Sequence, residues 1–272
     1  MIQFQNELVC VFESALFKTT STVIIGSEFL LIVDPNWLPD EIVQIREFVD
    51  RHKESRKIYL LFTHSDYDHI IAYGAFPDAK VIASRAFFEN AEKQSQLDQI
   101  LQFDHDYYVS RNYPITYPEP DILIESDGQV LQFAENSVQF FLAPGHNRDG
   151  IFAVLNPGGI FIAGDYLSDV EFPFIYHSFQ EYENTLKKAD TIFQTIDIQV
   201  LVPGHGSATQ SKTEMKKRLS ESLEYLSDLK NAVLEGQNFD EEALWKRYAF
   251  PKRQRKFHLD NLELVKKEFG KL

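Results

Sequence analysis

A layered α/β fold is the architecture this sequence predicts, and three observations predict it. Short apolar runs of strand length alternate with longer stretches of helical periodicity. Between Phe29 and Phe62 the order is strand, helix, strand, the unit from which layered α/β domains are built. Hydrophobic residues make up 44% and aromatic residues 14% of the 272 positions, ample for a sizeable core and contrary to disorder.

In chain order, Leu8 to Phe17, Thr22 to Gly26 and Phe29 to Val33 read as an antiparallel meander, broken by Lys18-Thr19-Thr20 and Gly26-Ser27. Cys10, the single cysteine, falls in the first of these segments and reads as a small core residue; it excludes an intrachain disulfide and a cysteine-rich metal knot. Pro39, Asp40 and Glu41 open a helix with acids at its positive end and Ile42, Ile45, Phe48 and Val49 on one face. Ile58 to Phe62 is expected as a strand buried on both faces, running out into a polar loop at Thr63. A short helix follows near Asp68, and Ala83 to Val109 is predicted mostly helical. Val138 to Leu142, Ile151 to Leu155, Ile160 to Ala163 and Ile198 to Val202 read as further strands.

Two capping boxes mark later helices. Ser178 with Glu181 opens one carrying Tyr182, Leu186, Ala189, Phe193 and Ile196. Ser211 with Glu214 opens another, along which Met215, Leu219, Leu223, Leu226, Leu229 and Val233 recur at helical spacing up to Gly236. A short helix is predicted over Glu241 to Phe250, and a final one from about His258 to Phe269. The run Lys252-Arg253-Gln254-Arg255-Lys256 between them reads as a solvated turn, the alternative being a local basic patch.

Lysine and arginine number 27 against 41 acids, a formal charge of −14. Such a surface repels phosphate backbones and anionic lipid, so neither a nucleic-acid nor a membrane partner is expected. Met1 to Val9 has no basic region ahead of an apolar run, and no uncharged apolar stretch is long enough to span a bilayer, so a cytoplasmic location is expected.

Chemistry concentrates after the Ile58 strand. Within six residues the loop offers His64, Asp66, Asp68 and His69. Two imidazoles and two carboxylates cannot all enter an apolar core, so they are solvated, mutually paired or gathered around a cation. Part of the pattern has a plainer explanation, since Ser65 and Asp66 could simply cap the following helix. Three later strand ends strengthen the cation reading: Pro144-Gly145-His146, Gly164-Asp165 and Pro203-Gly204-His205, each with a glycine that permits close backbone approach.

The order His64-x-Asp66-x-Asp68-His69, then His146, Asp165 and His205, resembles the metallo-β-lactamase superfamily, whose usual first motif is His-x-His-x-Asp-His. The likeness extends upstream to Ser27 to Pro35, SEFLLIVDP, with Asp34 at the end of the early strand pair, and covers about residues 10 to 210. It implies the four-layer αβ/βα metallo-β-lactamase fold over residues 1–210, with 211–272 a C-terminal helical extension of the same domain. Carried over residue by residue, it implies that two divalent metal ions are bound. His64, Asp66 and His146 would hold one ion, Asp68, His69 and His205 the other, and Asp165 would bridge them. The resemblance further implies a hydrolase that uses a metal-bound hydroxide on a small ester, thioester, lactone or phosphoester. Asp68 would orient the nucleophile, and Tyr166, at the rim of the site, would reach the developing oxyanion.

Two departures from the family pattern matter. Asp66 replaces the usual second histidine, giving a harder donor set that suits iron or manganese better than an all-nitrogen set would; zinc is expected, with those two as alternatives. The alternative function is accordingly an iron-dependent oxygen-redox enzyme, dioxygenase or diiron, on the same fold. The second departure, Asn147-Arg148-Asp149 where small residues are usual, leaves open how His146 is supported. The segment between the first motif and His146 shapes substrate access in this superfamily. Here Phe103 to Pro120, rich in aromatics and proline, could serve as a lid or pack its own tyrosines on the surface. His177 is expected at the surface or behind the ligands, and His258 either as a solvated helix-start residue or as a C-terminal histidine brought to the pocket.

Overall fold

The computed structural model describes residues 1–270. The first half of the chain runs β1 (Ile2–Gln5), β2 (Val9–Glu13), β3 (Thr20–Ile25), β4 (Phe29–Val33), α1 (Pro39–Lys53), β5 (Lys57–Leu61), α2 (Tyr67–Ile70), β6 (Lys80–Ser84), α3 (Arg85–Phe88), α4 (Lys93–Asp106) and β7 (Ile122–Ile124). These seven strands form one sheet in sequence order. The β1 to β4 ladder is antiparallel, and from β4 to β7 the pairing is parallel, because α1, then α2, then α3 with α4 lie in the crossovers.

The second half adds β8 (Val130–Phe133), β9 (Asn136–Leu142), β10 (Ile151–Asn156), β11 (Ile160–Ile162), α5 (Phe179–Thr195), β12 (Val200–Val202), α6 (Lys212–Leu234), α7 (Glu241–Arg247) and α8 (Pro251–Phe269). Its sheet has the order β12-β11-β10-β9-β8, antiparallel except where α5 returns the chain to lay β12 parallel to β11.

Three apolar clusters define the layers. One lies between the sheets, where Val9, Leu31 and Leu61 face Phe140, Ile162 and Val202. A second joins Leu30 and Leu60 to Ile45 and Phe48 of α1. The third joins Phe152 and Phe161 to Leu186 of α5, Leu226 of α6 and Val265 of α8. Helices on both outer faces of two packed sheets make the four-layer αβ/βα arrangement that the sequence led us to expect.

Several elements differ from expectation. β1 is an added edge strand. β5 is fully buried only at Leu60 and Leu61, because Lys57 begins it at the exposed end of the sheet. The segment from Ala83 is helical only after β6 ends at Ser84, whose hydroxyl accepts the Phe87 N–H and caps α3. α8 starts at Pro251 rather than near His258: proline suits the first helical position, so the basic run is helix rather than turn. Both predicted capping serines, Ser178 and Ser211, start their helices. Among the described residues no helix is long and apolar enough to cross a membrane.

The C-terminal helices are tied to the loop that follows β11. Asn261 donates to the Pro173 carbonyl (2.7 Å) and accepts from the Ile175 N–H (3.0 Å), and Gln254 donates to the Val170 carbonyl (2.7 Å). Glu268 accepts the Phe179 N–H (2.9 Å), a carboxylate at the positive end of α5.

Candidate metal centre

Four loops at strand ends bring seven side chains to one place. The loop after β5, with the short α2 at its end, carries His64, Asp66, Asp68 and His69; His146 follows β9, Asp165 follows β11, and His205 follows β12. One ligand atom each from His64, Asp66, His146 and Asp165 lies within 4.8 Å of the others, and the same holds for Asp68, His69 and His205. Asp165 stands between the two groups. Its Oδ2 is 3.5 Å from His64 Nε2, 3.3 Å from His146 Nε2 and 3.4 Å from His205 Nε2, while its Oδ1 is 3.1 Å from His69 Nε2. Gly204 is required here, because a Cβ at that position would fall on the Asp165 carboxylate.

Hydrogen bonds behind the imidazoles fix which nitrogen faces inward. His146 Nδ1 donates to the Phe174 carbonyl (2.7 Å) and His205 Nδ1 to the Phe17 carbonyl (3.0 Å). His69 Nδ1 donates to Asp34 Oδ2 (3.0 Å), and His64 Nδ1 to Thr63 Oγ1 (3.0 Å), whose own proton goes to Asp34 Oδ2 (2.5 Å). Asp34, in the left-handed backbone region at φ 44°, therefore serves the outer nitrogens of two histidines and orients rather than faces the cluster. All four Nε2 atoms are left to converge.

That convergence tests whether the residues suit a cation. Nε2 of His64 and His69 and Oδ1 of Asp165 are buried without a hydrogen-bond partner. Buried lone-pair atoms left facing one another are costly unless a positive charge sits among them. Burial disfavours charge on these histidines, yet the carboxylates outweigh it and push His146 and His205 up to about 10. Burial likewise opposes ionisation of Asp165, but His205, His69 and His64 hold its carboxyl well below the usual range. The donor set of oxygens and imidazoles fits divalent zinc, manganese or iron.

Asp66 is held in a defined pose. Its Oδ1 accepts from Asn147 Nδ2 (2.7 Å), which leaves Oδ2 3.2 Å from His146 Nε2 and 3.6 Å from His64 Nε2. Asp149, two residues on, accepts the Ser65 N–H through Oδ1 (3.4 Å) and the Ser84 hydroxyl through its carbonyl (2.7 Å). The Asn147-Arg148-Asp149 segment thus supports the first motif loop, and Asn147 is the partner of the substituted carboxylate. The sequence held a signal for this: two departures from one family pattern on residues that share a site.

A cavity of about 380 Å³ opens over the cluster, with Asp66, Asp68, Asp165 and His205 on its wall. Glu171 also lines it and was not anticipated. Burial, with Asp165 and Asp68 reinforcing and His205 opposing, pushes its carboxyl up to about 7. An acid inside the apolar run Val170 to Phe174 was the available signal.

Tyr166 is placed differently from the rim position expected of it. It is buried against Phe152 and Tyr182, and its hydroxyl accepts the His146 N–H (2.9 Å) and meets the Pro144 carbonyl at 3.0 Å. The residue after Asp165 turns into the helix-facing core, and Tyr67 and Tyr176 are the tyrosines that line the cavity. His258 is neither solvated nor in the pocket: it is buried midway along α8 and bonded to the Tyr225 hydroxyl (3.1 Å). His177 is at the surface, paired with Glu181 at 2.8 Å. In the 103–120 segment, Phe103, Tyr113 and Tyr117 pack on the core beneath α1 and α2, and no residue of it lines the cavity.

Comparison with known proteins agrees with this geometry. The sequence model of the metallo-beta-lactamase superfamily matches residues 15–205. No curated protein matches the chain in sequence. Among solved structures, an archaeal metallo-beta-lactamase superfamily protein from Sulfolobus tokodaii superposes with a TM-score of 0.60 at 19% identity, over 97% of this chain and 100% of that one. A metallo-beta-lactamase family protein from Thermus thermophilus gives 0.64 at 19% identity, over 96% and 94%. The sec-alkylsulfatase Pisa1 from Pseudomonas sp. gives 0.67 at 16% identity over 93% of this chain but 48% of its own length, so this chain spans about half of that enzyme.

Proposed function

The chain belongs to the metallo-β-lactamase superfamily, and we propose that it is a metal-dependent hydrolase of a small ester, thioester, lactone or phosphoester. The observation that carries this reading is the set of buried, unpartnered His64 Nε2, His69 Nε2 and Asp165 Oδ1 under an open cavity. In this proposal His64, Asp66 and His146 hold one divalent ion, Asp68, His69 and His205 a second, and Asp165 both. Zinc is the expected ion, with manganese or iron as alternatives. When bound, such ions acidify a water and polarise the attacked oxygen.

The chain's own residues do the remainder. Asp34 and the Phe17 and Phe174 carbonyls fix the imidazoles so that little reorganisation is needed during reaction. Asp68 orients the attacking water and accepts its proton. Tyr166 acts through backbone, by holding His146 in place. Glu171, whose carboxyl burial pushes up, is placed on the cavity wall to exchange a proton with a leaving group.

The test is turnover of p-nitrophenyl acetate, γ-thiobutyrolactone and bis(p-nitrophenyl) phosphate by zinc-, manganese- and iron-loaded protein. Hydrolysis of at least one class, abolished by chelation and restored by metal, is expected. Turnover indifferent to chelation, or none by fully loaded protein, would overturn the proposal. A second reading, iron-dependent oxygen chemistry, draws on the Asp66 carboxylate that Asn147 holds. Visible absorption of protein purified without added metal separates the two.

A further inference from the structure

The cavity over the cluster is not lined by the motif loops alone. α8 closes its far side, and two aromatic walls lead away from the cluster. On the His205 side stands Phe17, whose carbonyl holds the His205 ring and whose own ring carries the Arg253 guanidinium at 4.4 Å. On the His146 side the ring of Tyr176 lies 4.9 Å from the imidazole, followed by Phe257 at 6.2 Å, itself stacked at 4.2 Å on Phe174. Phe17, Arg253, Tyr176, Phe257 and Phe174 all line the cavity.

Arg253 is the informative group. Among nearby cations, Arg247 of α7 pairs with Glu221 and Glu224, and Lys256 pairs with Asp260. Arg253 is exposed and, among the described residues, has no carboxylate within ion-pair reach. Its plane is held by the Phe17 ring, which leaves its N–H fork free for an anion. Beside it, Gln254 is 4% exposed and donates to the Val170 carbonyl, which fixes this stretch of α8 on the cavity wall. Phe17 and Lys18 occupy the left-handed region at φ 53° and 52°, so the loop that presents the Phe17 ring is held against local preference. A strained loop and a stacked, unpaired arginine on one cavity describe a built site.

Resting on the hydrolase reading, we propose that the substrate carries an anionic group held by Arg253 and an apolar or aromatic body packed between Phe17 and Phe257, with its scissile bond over Asp165. At a net charge of −14 the recognition is local, supplied by this stretch of α8 rather than by the surface as a whole.

The test does not require turnover. Binding of 2-naphthalenesulfonate and of its neutral counterpart, 2-naphthyl methyl sulfone, is measured by calorimetry on zinc-loaded protein, wild type against R253E, R253Q and R253K. The sulfonate is expected to bind about tenfold or more tightly than the sulfone, as a charge-assisted contact allows. R253E and R253Q should abolish that preference, and R253K should retain part of it. Equal binding of the two probes, no sulfonate binding, or a sulfonate affinity in R253Q and R253E within about twofold of wild type would overturn the inference. Sulfonate binding that depends on Arg253 in a loaded protein inert toward every ester, thioester, lactone and phosphoester would overturn the hydrolase reading, and with it the scissile bond over Asp165, while the anion site at Arg253 would stand.

Discussion

The floor and the far wall of the cavity are built by different means. The floor takes its seven side chains from loops at strand ends, inside the 15–205 stretch that matches the superfamily, and every imidazole has a partner behind it. The wall comes from α8, outside that stretch, and is held to the floor through the carbonyls of Val170 and Pro173 and the N–H of Ile175. In the proposal made above, the floor keeps a common chemistry while the wall sets what is admitted. Family membership describes the first and says little of the second.

The largest break is expected at the residue both half-sites share. Asp165→Asn should remove most bound metal and lower turnover by about a thousandfold or more, read by elemental analysis and kcat/KM. Retention of both ions would mean the two groups do not depend on one carboxylate. Asn147→Ala sharpens the comparison within the floor: freed from its partner, Asp66 should bind metal about 10 to 100 times more weakly in chelator competition. On the wall, Asn261→Ala removes hydrogen bonds to Pro173, Ile175 and Tyr225. A loss of about 1–3 kcal/mol in urea unfolding is expected, with faster hydrogen exchange along α8. Unchanged exchange there would mean that apolar packing alone fixes the helix.

The smallest effect concerns His258, whose pKa burial depresses below its ordinary 6.5 against a weak opposing pull from Glu241. The folded state holds it neutral, while the unfolded chain takes up a proton as pH falls below that value. Its contribution is thus complete above the unfolded pKa and drains away as pH falls toward the folded one. The fall in Tm between about pH 7 and about pH 5.5 should be smaller in His258→Gln than in the wild type. Identical profiles would assign the acid sensitivity to other groups.

The contrast also explains what could be read from sequence. The convergence of these side chains was legible because metal chemistry restricts residue types and because strand ends beside glycine mark where candidate ligands emerge: His146, Asp165 and His205 all follow that rule. Tyr166 misled because position after Asp165 says nothing about whether the chain turns outward, and here a pocket between Phe152 and Tyr182 draws the ring in. The short strands β6 and β7 were missed because each pairs in a parallel sheet whose partners are distant in sequence. The basic run on α8 looked like a solvated turn, since nothing local reveals that Phe17, near the other end of the chain, lies under Arg253.

Metal content of the chain purified without added metal, by elemental mass spectrometry, tests the central claim most directly. About two divalent ions per chain are expected, one for each group of candidate ligands joined by Asp165. No bound metal, and none taken up on titration, would contradict that claim.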